Sequence, residues 1–292
     1  MDLLVEKFNF ANNGDEFYTR FSDISKEIPK YNWNGMTVYC NCDDPTRSNF
    51  YKFFKQEFKK LGIKKLLATY KSEDPLLFEF DGVNEKRTRI NSGYFQNNVN
   101  IIKICDAVVT NPPYSRGMMV EFIDMMLNSG KKFLLVGSLN IITKKKIFDY
   151  VKSGMLRVGY SSINTFERED NSLSNSASCW WTNFDVNKPF LKPNNYYNEN
   201  LYPKYDNYNA IDCSKTSLMP YGYNGVMGVP IRFITKYNSK QYKLIGILNH
   251  PRINGKNIMS RILIQNVLTN ECIKIVHINE YNYKKLFKSI CI

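Results

Sequence analysis

One segment, Ala107-Val108-Val109-Thr110-Asn111-Pro112-Pro113-Tyr114, indicates the fold of this chain most directly. Its first four residues are apolar or β-branched and predict a short buried strand. The two prolines end that strand, because proline fixes φ and has no backbone N–H to donate to a neighbouring strand. Apolar residues then recur at helical spacing as far as Gly130, and these are Met119, Phe122, Ile123, Met126 and Leu127. Strand, stiff turn and helix in this order predict the junction at which open α/β sheets bind ligands.

The same strand-and-helix unit repeats on both sides of this stretch. Strands are predicted at residues 37–42, 66–70 and 133–137, and a helix is predicted from Ser48 to Gly62, where glycine suits a left-handed helix end. Such alternation is typical of an α/β fold with a mostly parallel sheet and helices on both faces. An antiparallel hairpin, residues 158–160 and 178–184, is expected to finish the sheet.

The amino-acid composition of the sequence changes near residue 188. From Lys188 onward Pro, Asn, Tyr and Gly dominate, which is typical of short strands joined by long loops. We therefore predict a larger α/β domain, residues 1–187, and a smaller unit, residues 188–292.

Composition narrows the class of protein. Of 292 residues 43% are apolar, which is enough for a sizeable core, and 40 Lys and Arg against 27 Asp and Glu leave a net charge of +13. Positive charge spread along the chain suits a polyanionic partner such as nucleic acid. The seven cysteines are odd in number and irregularly spaced, so a reducing cytoplasm is expected.

Other classes are disfavoured by what the sequence lacks. No stretch approaches membrane-spanning length, and we expect a soluble protein. No structural metal is expected, since Cys40 and Cys42 lie far in sequence from both histidines. The glycine-rich loops of nicotinamide enzymes and ATPases are also absent.

The Asn-Pro-Pro-Tyr turn has the chemistry to activate an exocyclic amine. The lone pair of such an amine is delocalised into its ring, so it is a poor nucleophile. The side-chain oxygen of Asn111 and the carbonyl of Pro112 could each accept one N–H and direct the lone pair toward an electrophilic methyl group. Pro113 stiffens the turn, and Tyr114 offers a flat face on which a base can stack. The alternative is that the turn merely closes a strand.

Two carboxylates follow the first predicted strand. Asp43 and Asp44 are candidates to bind the hydroxyl and ammonium groups of a methyl donor such as S-adenosylmethionine. The competing interpretation is that one of them caps the following helix.

Several motifs, in a fixed order, resemble the EcoRI family of adenine-specific DNA methyltransferases. They are Glu16-Phe17-Tyr18-Thr19, then Val38-Tyr39-Cys40-Asn41-Cys42-Asp43-Asp44-Pro45, then Thr110-Asn111-Pro112-Pro113-Tyr114, with further similarity at residues 202–208 and 225–231. The resemblance implies a Rossmann-like, S-adenosylmethionine-dependent methyltransferase fold. It also implies methyl transfer to N6 of an adenine flipped out of double-stranded DNA.

The resemblance also implies roles for single residues. Asn111, Pro112, Pro113 and Tyr114 would be catalytic. The implied donor-binding residues are Phe17, Tyr18, Thr19, Cys42, Asp43, Asp44, Gly93, Tyr94, Phe95 and Asn111. One departure is that Gly93-Tyr94-Phe95 stands where the family pattern has Gly-Asp-Phe, so an acidic contact is missing at Tyr94.

In this family, DNA recognition lies toward the carboxyl end, here in residues 188–292. The basic candidates for DNA contact are Arg232, Lys236, Arg252, Lys256 and Arg261. Each could instead be ordinary solvated surface charge. A cognate restriction endonuclease is a further candidate partner, and the oligomeric state is left open with a monomer favoured.

Two other functions fit the same sequence. The turn suits any exocyclic amine, so methylation of adenine in RNA or of cytosine N4 is an alternative. The second is a catalytically inactive nucleic-acid-binding protein with the same fold.

Overall fold

The computed structural model describes residues 17–42, 44–70, 72–93, 98–112, 118–168, 170–193 and 195–268. The strands of the large sheet are β1 (Tyr18–Thr19), β2 (Thr37–Asn41), β3 (Lys65–Thr69), β4 (Leu76–Phe80), β5 (Glu85–Arg89), β6 (Ala107–Thr110), β7 (Lys132–Ser138), β8 (Arg157–Glu167) and β9 (Leu173–Thr182). The helices are α1 (Phe21–Glu27), α2 (Asn49–Gln56), α3 (Phe58–Leu61), α4 (Val99–Ile104), α5 (Met118–Asn128) and α6 (Lys145–Lys152).

Nine strands form one mixed sheet in the order β1-β8-β9-β7-β6-β2-β3-β4-β5. The central strands β7, β6, β2 and β3 are parallel neighbours, whereas the outer pairs are antiparallel. Because β8 and β5 are each two antiparallel steps from this centre, they run in the same direction as it. The mixed α/β fold with a large sheet whose strands mostly share one direction is as predicted.

Alternation along the buried strands assigns side chains to two faces of the sheet. In β2, Val38 and Cys40 pack with residues of α1, α2 and α3 on one face. Tyr39 points the other way and belongs to a second buried cluster, which includes apolar residues of α4, α5 and α6. Both faces are therefore covered, and the polar chemistry is left to the ends of the strands.

The carboxyl-terminal unit is built of short strands. These are β10 (Asn195–Tyr196), β11 (Ile211–Asp212), β12 (Pro220–Tyr221), β13 (Val226–Pro230), β14 (Tyr242–Leu248), β15 (Arg252–Ile253), β16 (Lys256–Asn257) and β17 (Arg261–Asn266). Four of them form a sheet in the order β11-β13-β17-β14. Its inner residues, such as Val229 and Ile262, join the same buried cluster as Tyr39. The predicted boundary between residues 187 and 188 thus falls between two sheets that share a core. The division into two domains stays a prediction.

Several predicted elements lie within one or two residues of their observed bounds. The predicted helix from Ser48 is two helices, because the chain leaves helical geometry at Glu57, and Gly62 ends the second with φ of 67°. The hairpin of β4 and β5 was not predicted. Among the described residues, no helix is long and apolar enough to cross a membrane.

Candidate active site

The predicted catalytic turn lies where three parallel strands end side by side. Register pairs Asn41 of β2 with Thr69 of β3 and places Thr110 of β6 level with both. All three residues are fully buried. The hydroxyl of Thr110 donates to the backbone carbonyl of Asn41. We call this end of the sheet the carboxyl edge.

A single hydrogen bond fixes the orientation of the Asn111 amide. Its Nδ2 donates to the backbone carbonyl of Phe17 at 2.7 Å. Because that carbonyl can only accept, the NH₂ group must face Phe17 and the Oδ1 atom must face away. Oδ1 is buried and has no hydrogen-bond partner among the described residues. The side chain therefore presents a pure acceptor beside the turn.

The short strand β1 covers the carboxyl edge. It pairs antiparallel with the far end of β8, where Thr19 lies opposite Phe166. The carbonyl of Thr19 accepts from Asn49 Nδ2 at 2.9 Å, at the start of α2. The ring of Phe17 lies 6.1 Å from that of Phe166 between centroids. Residues 17–19 thus link the catalytic turn to the first helix that follows β2.

Buried polar atoms without partners concentrate at this edge. Within the described ranges they are Thr19 Oγ1, Asn41 Nδ2 and Oδ1, Ser72 Oγ and Asn111 Oδ1. Asn41 and Asn111 end or follow parallel strands, Ser72 lies three residues beyond β3, and Thr19 is in β1. A buried polar group without a partner costs roughly 1–3 kcal/mol. A ligand that supplies the missing partners would remove that cost.

The chain bends sharply as it leaves β2. Cys42 has φ of 78°, a left-handed conformation that is rare outside glycine. Asp44 then folds its carboxylate back, and Oδ1 accepts from the backbone N–H of Thr46 at 2.9 Å and from its hydroxyl at 2.8 Å. Ser48, rather than Asp44, caps α2. Asp44 therefore holds the turn in shape, and Asp43 lies outside the described residues.

The chain matches the family model for the adenine-specific methyltransferase EcoRI over residues 7–97 and 79–291. It belongs to the EcoRI family of adenine-specific methyltransferases.

Individual relatives agree with this assignment. The chain is 35% identical to the type II methyltransferase M.EcoRI of Escherichia coli over 87% of this chain and 94% of the relative. It is 32% identical to M.MgeORF184P of Mycoplasma genitalium, covering 85% and 88%. It is 34% identical to M.MpnI of Mycoplasma pneumoniae, covering 84% and 86%. No solved structure matches the chain.

The structure describes only some of the other predicted site residues of this methyltransferase. Pro112 is buried directly after Asn111, whereas Pro113 and Tyr114 lie outside the described residues, as do Tyr94 and Phe95. Gly93 is buried, and next to it the Ser92 carbonyl accepts from Asn98 Nδ2 at 3.1 Å.

The five basic residues predicted to contact DNA fall into two groups. Arg232, Lys236, Arg252 and Lys256 are exposed on the carboxyl-terminal unit. The fifth, Arg261, is only 9% exposed, and its Nε lies 2.8 Å from Asp212 Oδ1. Its Nη1 also donates to the Met259 carbonyl at 2.9 Å. The structure corrects the expectation for Arg261, whose guanidinium is occupied within the protein.

No role was predicted for Asn41 from the sequence. It is the last residue of β2, and both polar atoms of its carboxamide are buried and have no hydrogen-bond partner within the described residues. The available signal was a single polar side chain at the end of an otherwise apolar strand.

A cavity of about 450 Å³ lies at the other edge of the sheet, beside the start of β8. Its charged lining is largely occupied, because Arg157 lies 3.3 Å from Asp185 and the ammonium of Lys188 donates to the Gly159 carbonyl. Burial lowers the pKa of Lys188. The register places this cavity away from Asn111, so it does not belong to the catalytic turn.

Proposed function

We propose that this methyltransferase transfers a methyl group from S-adenosylmethionine to N6 of an adenine flipped out of double-stranded DNA. The observation that supports this most directly is the buried, unpartnered Oδ1 of Asn111. An exocyclic amine has N–H groups that need such an acceptor, and accepting from one of them turns the lone pair toward the methyl carbon. Adenine specificity agrees with the family.

Asn111 is held ready before substrate arrives. Its tether to the Phe17 carbonyl sets the direction of the amide, so no reorientation is needed during the reaction. In our proposal the backbone carbonyl of the buried Pro112 is the second acceptor. The proline nitrogen carries no hydrogen, so this residue offers an acceptor and no donor. Positioning two bound reactants and stabilising charge on N6 would then account for catalysis, and the extra proton on the product amine passes to water.

The residues at the carboxyl edge fit the proposed donor. S-adenosylmethionine supplies an activated methyl group on sulfur, together with hydroxyl, amino and carboxylate groups that need hydrogen-bond partners. Buried, unpartnered atoms of Thr19, Asn41 and Ser72 offer such partners at the same edge as Asn111. The fold around them is accordingly proposed to be the Rossmann-like methyltransferase fold. Phe17 and Tyr18 are proposed to enclose the donor.

DNA would bind through the exposed basic residues of the carboxyl-terminal unit. We propose that Arg232, Lys236, Arg252 and Lys256 contact phosphates or base edges. Extruding adenine from the stack costs a few kcal/mol, and stacking on Tyr114 would return roughly 1–3 kcal/mol. Similarity to type II methyltransferases favours a role in restriction and modification. We propose further that the enzyme is cytoplasmic and monomeric and has a cognate endonuclease as partner.

Replacement of the catalytic amide tests this function. Asn111→Ala should lower turnover at least about 100-fold, because it removes an acceptor that acts on the charge formed in the transition state. Transfer of labelled methyl groups to DNA measures turnover, and sequencing of DNA from expressing cells reports the methylated base. Asn128→Ala, at the exposed end of α5, is the matched control and should be as active as the wild type.

Three outcomes would contradict the proposed function or part of it. Wild-type turnover by Asn111→Ala would exclude the proposed role of the amide. Transfer of label to RNA in preference to duplex DNA would replace the proposed substrate with the RNA alternative. Label on cytosine would contradict adenine specificity.

A further inference from the structure

We infer that Asn41 is a donor-binding residue, whose neutral carboxamide both donates to and accepts from polar groups of the methyl donor. The inference rests on the proposed function and gives a role to a residue inside the motif at positions 38–45, for which the resemblance implied none. Ser72 and Thr19 supply single hydroxyls to the same lining.

The unmet hydrogen bonds of Asn41 are the first reason. The residue is 0% exposed, and within the described part of the chain neither Nδ2 nor Oδ1 has a partner. A buried carboxamide can make up to four hydrogen bonds. Leaving all of them unmade would be costly, so a molecule that is bound during function is the natural source of partners.

Asn183 shows how the same residue type behaves when its role is structural. Its Oδ1 accepts from the Phe133 N–H at 2.9 Å, and its Nδ2 donates to the Lys131 carbonyl at 2.8 Å. This amide ties the end of β9 to the start of β7, at the edge opposite Asn41. Glu27, which is also fully buried, likewise accepts from Tyr31, Tyr160 and Ser161. The partly buried Asn183 and the buried Glu27 are thus both satisfied within the protein.

The position of Asn41 gives the second reason. Its backbone is fixed between β3 and β6, and its carbonyl accepts from Thr110, the residue before Asn111. This pairing fixes the position from which the side chain projects. It therefore lies one strand away from the residue that would face the methyl-accepting amine.

The chemistry of the amide limits what it can bind. Asp44, the charged candidate that the structure describes, already accepts from Thr46. A carboxamide needs a ligand group that both donates and accepts, and both halves of the donor offer one. In the nucleoside half, the ribose hydroxyls do both, and the adenine places an N–H donor beside a ring-nitrogen acceptor. The other half is the amino acid, with an ammonium donor and a carboxylate acceptor.

The variant Asn41→Leu separates a ligand-binding role from a structural one. Leucine has a similar size and no polar atoms. It removes the unmet hydrogen bonds, so the melting temperature of the ligand-free protein should stay the same or rise. Affinity for S-adenosylhomocysteine, measured by calorimetry, should fall at least tenfold. The control Asn183→Leu should do the reverse, with a lower melting temperature and unchanged affinity.

Each outcome bears on the inference. Wild-type affinity in Asn41→Leu overturns it. A marked fall in the melting temperature of that variant also overturns it, since the amide would then be satisfied within the chain. If the wild-type protein itself binds neither S-adenosylmethionine nor S-adenosylhomocysteine, the proposed function fails instead.

Two fragments of the donor identify the contact. Adenosine contains the ribose and the adenine, and methionine contains the amino acid. In competition with labelled S-adenosylhomocysteine, the fragment whose affinity falls in Asn41→Leu is the one that the amide holds. Equal affinities of both fragments for variant and wild type would contradict the inference.

Discussion

Asn183 and Asn41 are the same residue type at opposite edges of one sheet, and the protein treats them in opposite ways. At Asn183 the amide accepts from one backbone group and donates to another, and so joins two strands. At Asn41 neither end of the amide has a partner among the described residues. A polar residue type within the sheet therefore does not by itself distinguish structure from function. The unmet hydrogen bonds do.

The largest effect is expected where a satisfied buried pair is broken. Asp212 accepts from Arg261 at 2.8 Å and from the Tyr205 hydroxyl at 2.6 Å. Arg261→Met should lower the free energy of unfolding by about 3–5 kcal/mol, because it leaves a buried carboxylate without its cation. Urea denaturation measures this loss. Lys256→Met, an exposed control, should change stability by less than about 0.5 kcal/mol.

The same two variants should lose affinity for DNA in the reverse of the order in which they lose stability. Measured on folded protein, Arg261→Met should keep its affinity for DNA, whereas Lys256→Met should weaken it and reduce its dependence on salt. A larger loss of affinity in Arg261→Met would return Arg261 to the DNA-contacting set.

A smaller effect is expected at Ser72, whose Oγ is buried without a partner beyond the end of β3. Ser72→Ala should leave the melting temperature unchanged, since no hydrogen bond within the described protein is lost. Affinity for S-adenosylhomocysteine should fall a few-fold, as one hydrogen bond contributes about 0.5–1.5 kcal/mol. Calorimetry beside thermal denaturation tests both. A lower melting temperature with full affinity would show that Ser72 is structural.

The smallest effect is pH-dependent and lies away from the site. Burial acts to raise the pKa of Glu85, but hydrogen bonds from Lys55, Arg87 and Tyr51 outweigh it and leave the pKa below its ordinary value. The stabilisation is present above the pKa of the unfolded chain, about 4.3 for glutamate, and is lost as pH falls through the lower folded value. The melting temperature should therefore decrease less in Glu85→Gln than in the wild type when the pH is lowered from 7 to acid values. An identical pH profile in wild type and variant would contradict this coupling.

Much of the central sheet was predictable because its signals are local. Apolar strands such as β6 and the periodic helix α5 carry their pattern in a few neighbouring residues, and Gly130 takes φ of 68° after that helix. The strand β5 was missed because four of its five residues are exposed and polar, so no apolar alternation reveals it. The two-residue strand β1 exists only through its pairing with β8.

The residues of the candidate site were likewise predictable only where their signals are local in sequence. The turn at Asn111 was predictable, because its chemistry is written in consecutive residues. The pairing of Arg261 was not, since Asp212 lies 49 residues away in sequence. Asn41 was missed for a related reason: what marks it is a lack of partners, and that is a property of the folded neighbourhood.

The hydrogen bond from Asn111 to Phe17 makes the proposed catalytic amide depend on a residue 94 positions earlier in the chain. An amide rotated by half a turn would point its two hydrogens at the adenine amine and repel it. Docking of the strand that begins with Tyr18 therefore fixes the direction in which this amide presents its oxygen. In a molecule with that strand detached, the amide would be free to face either way, and the residues proposed to enclose the donor would leave the site with the strand.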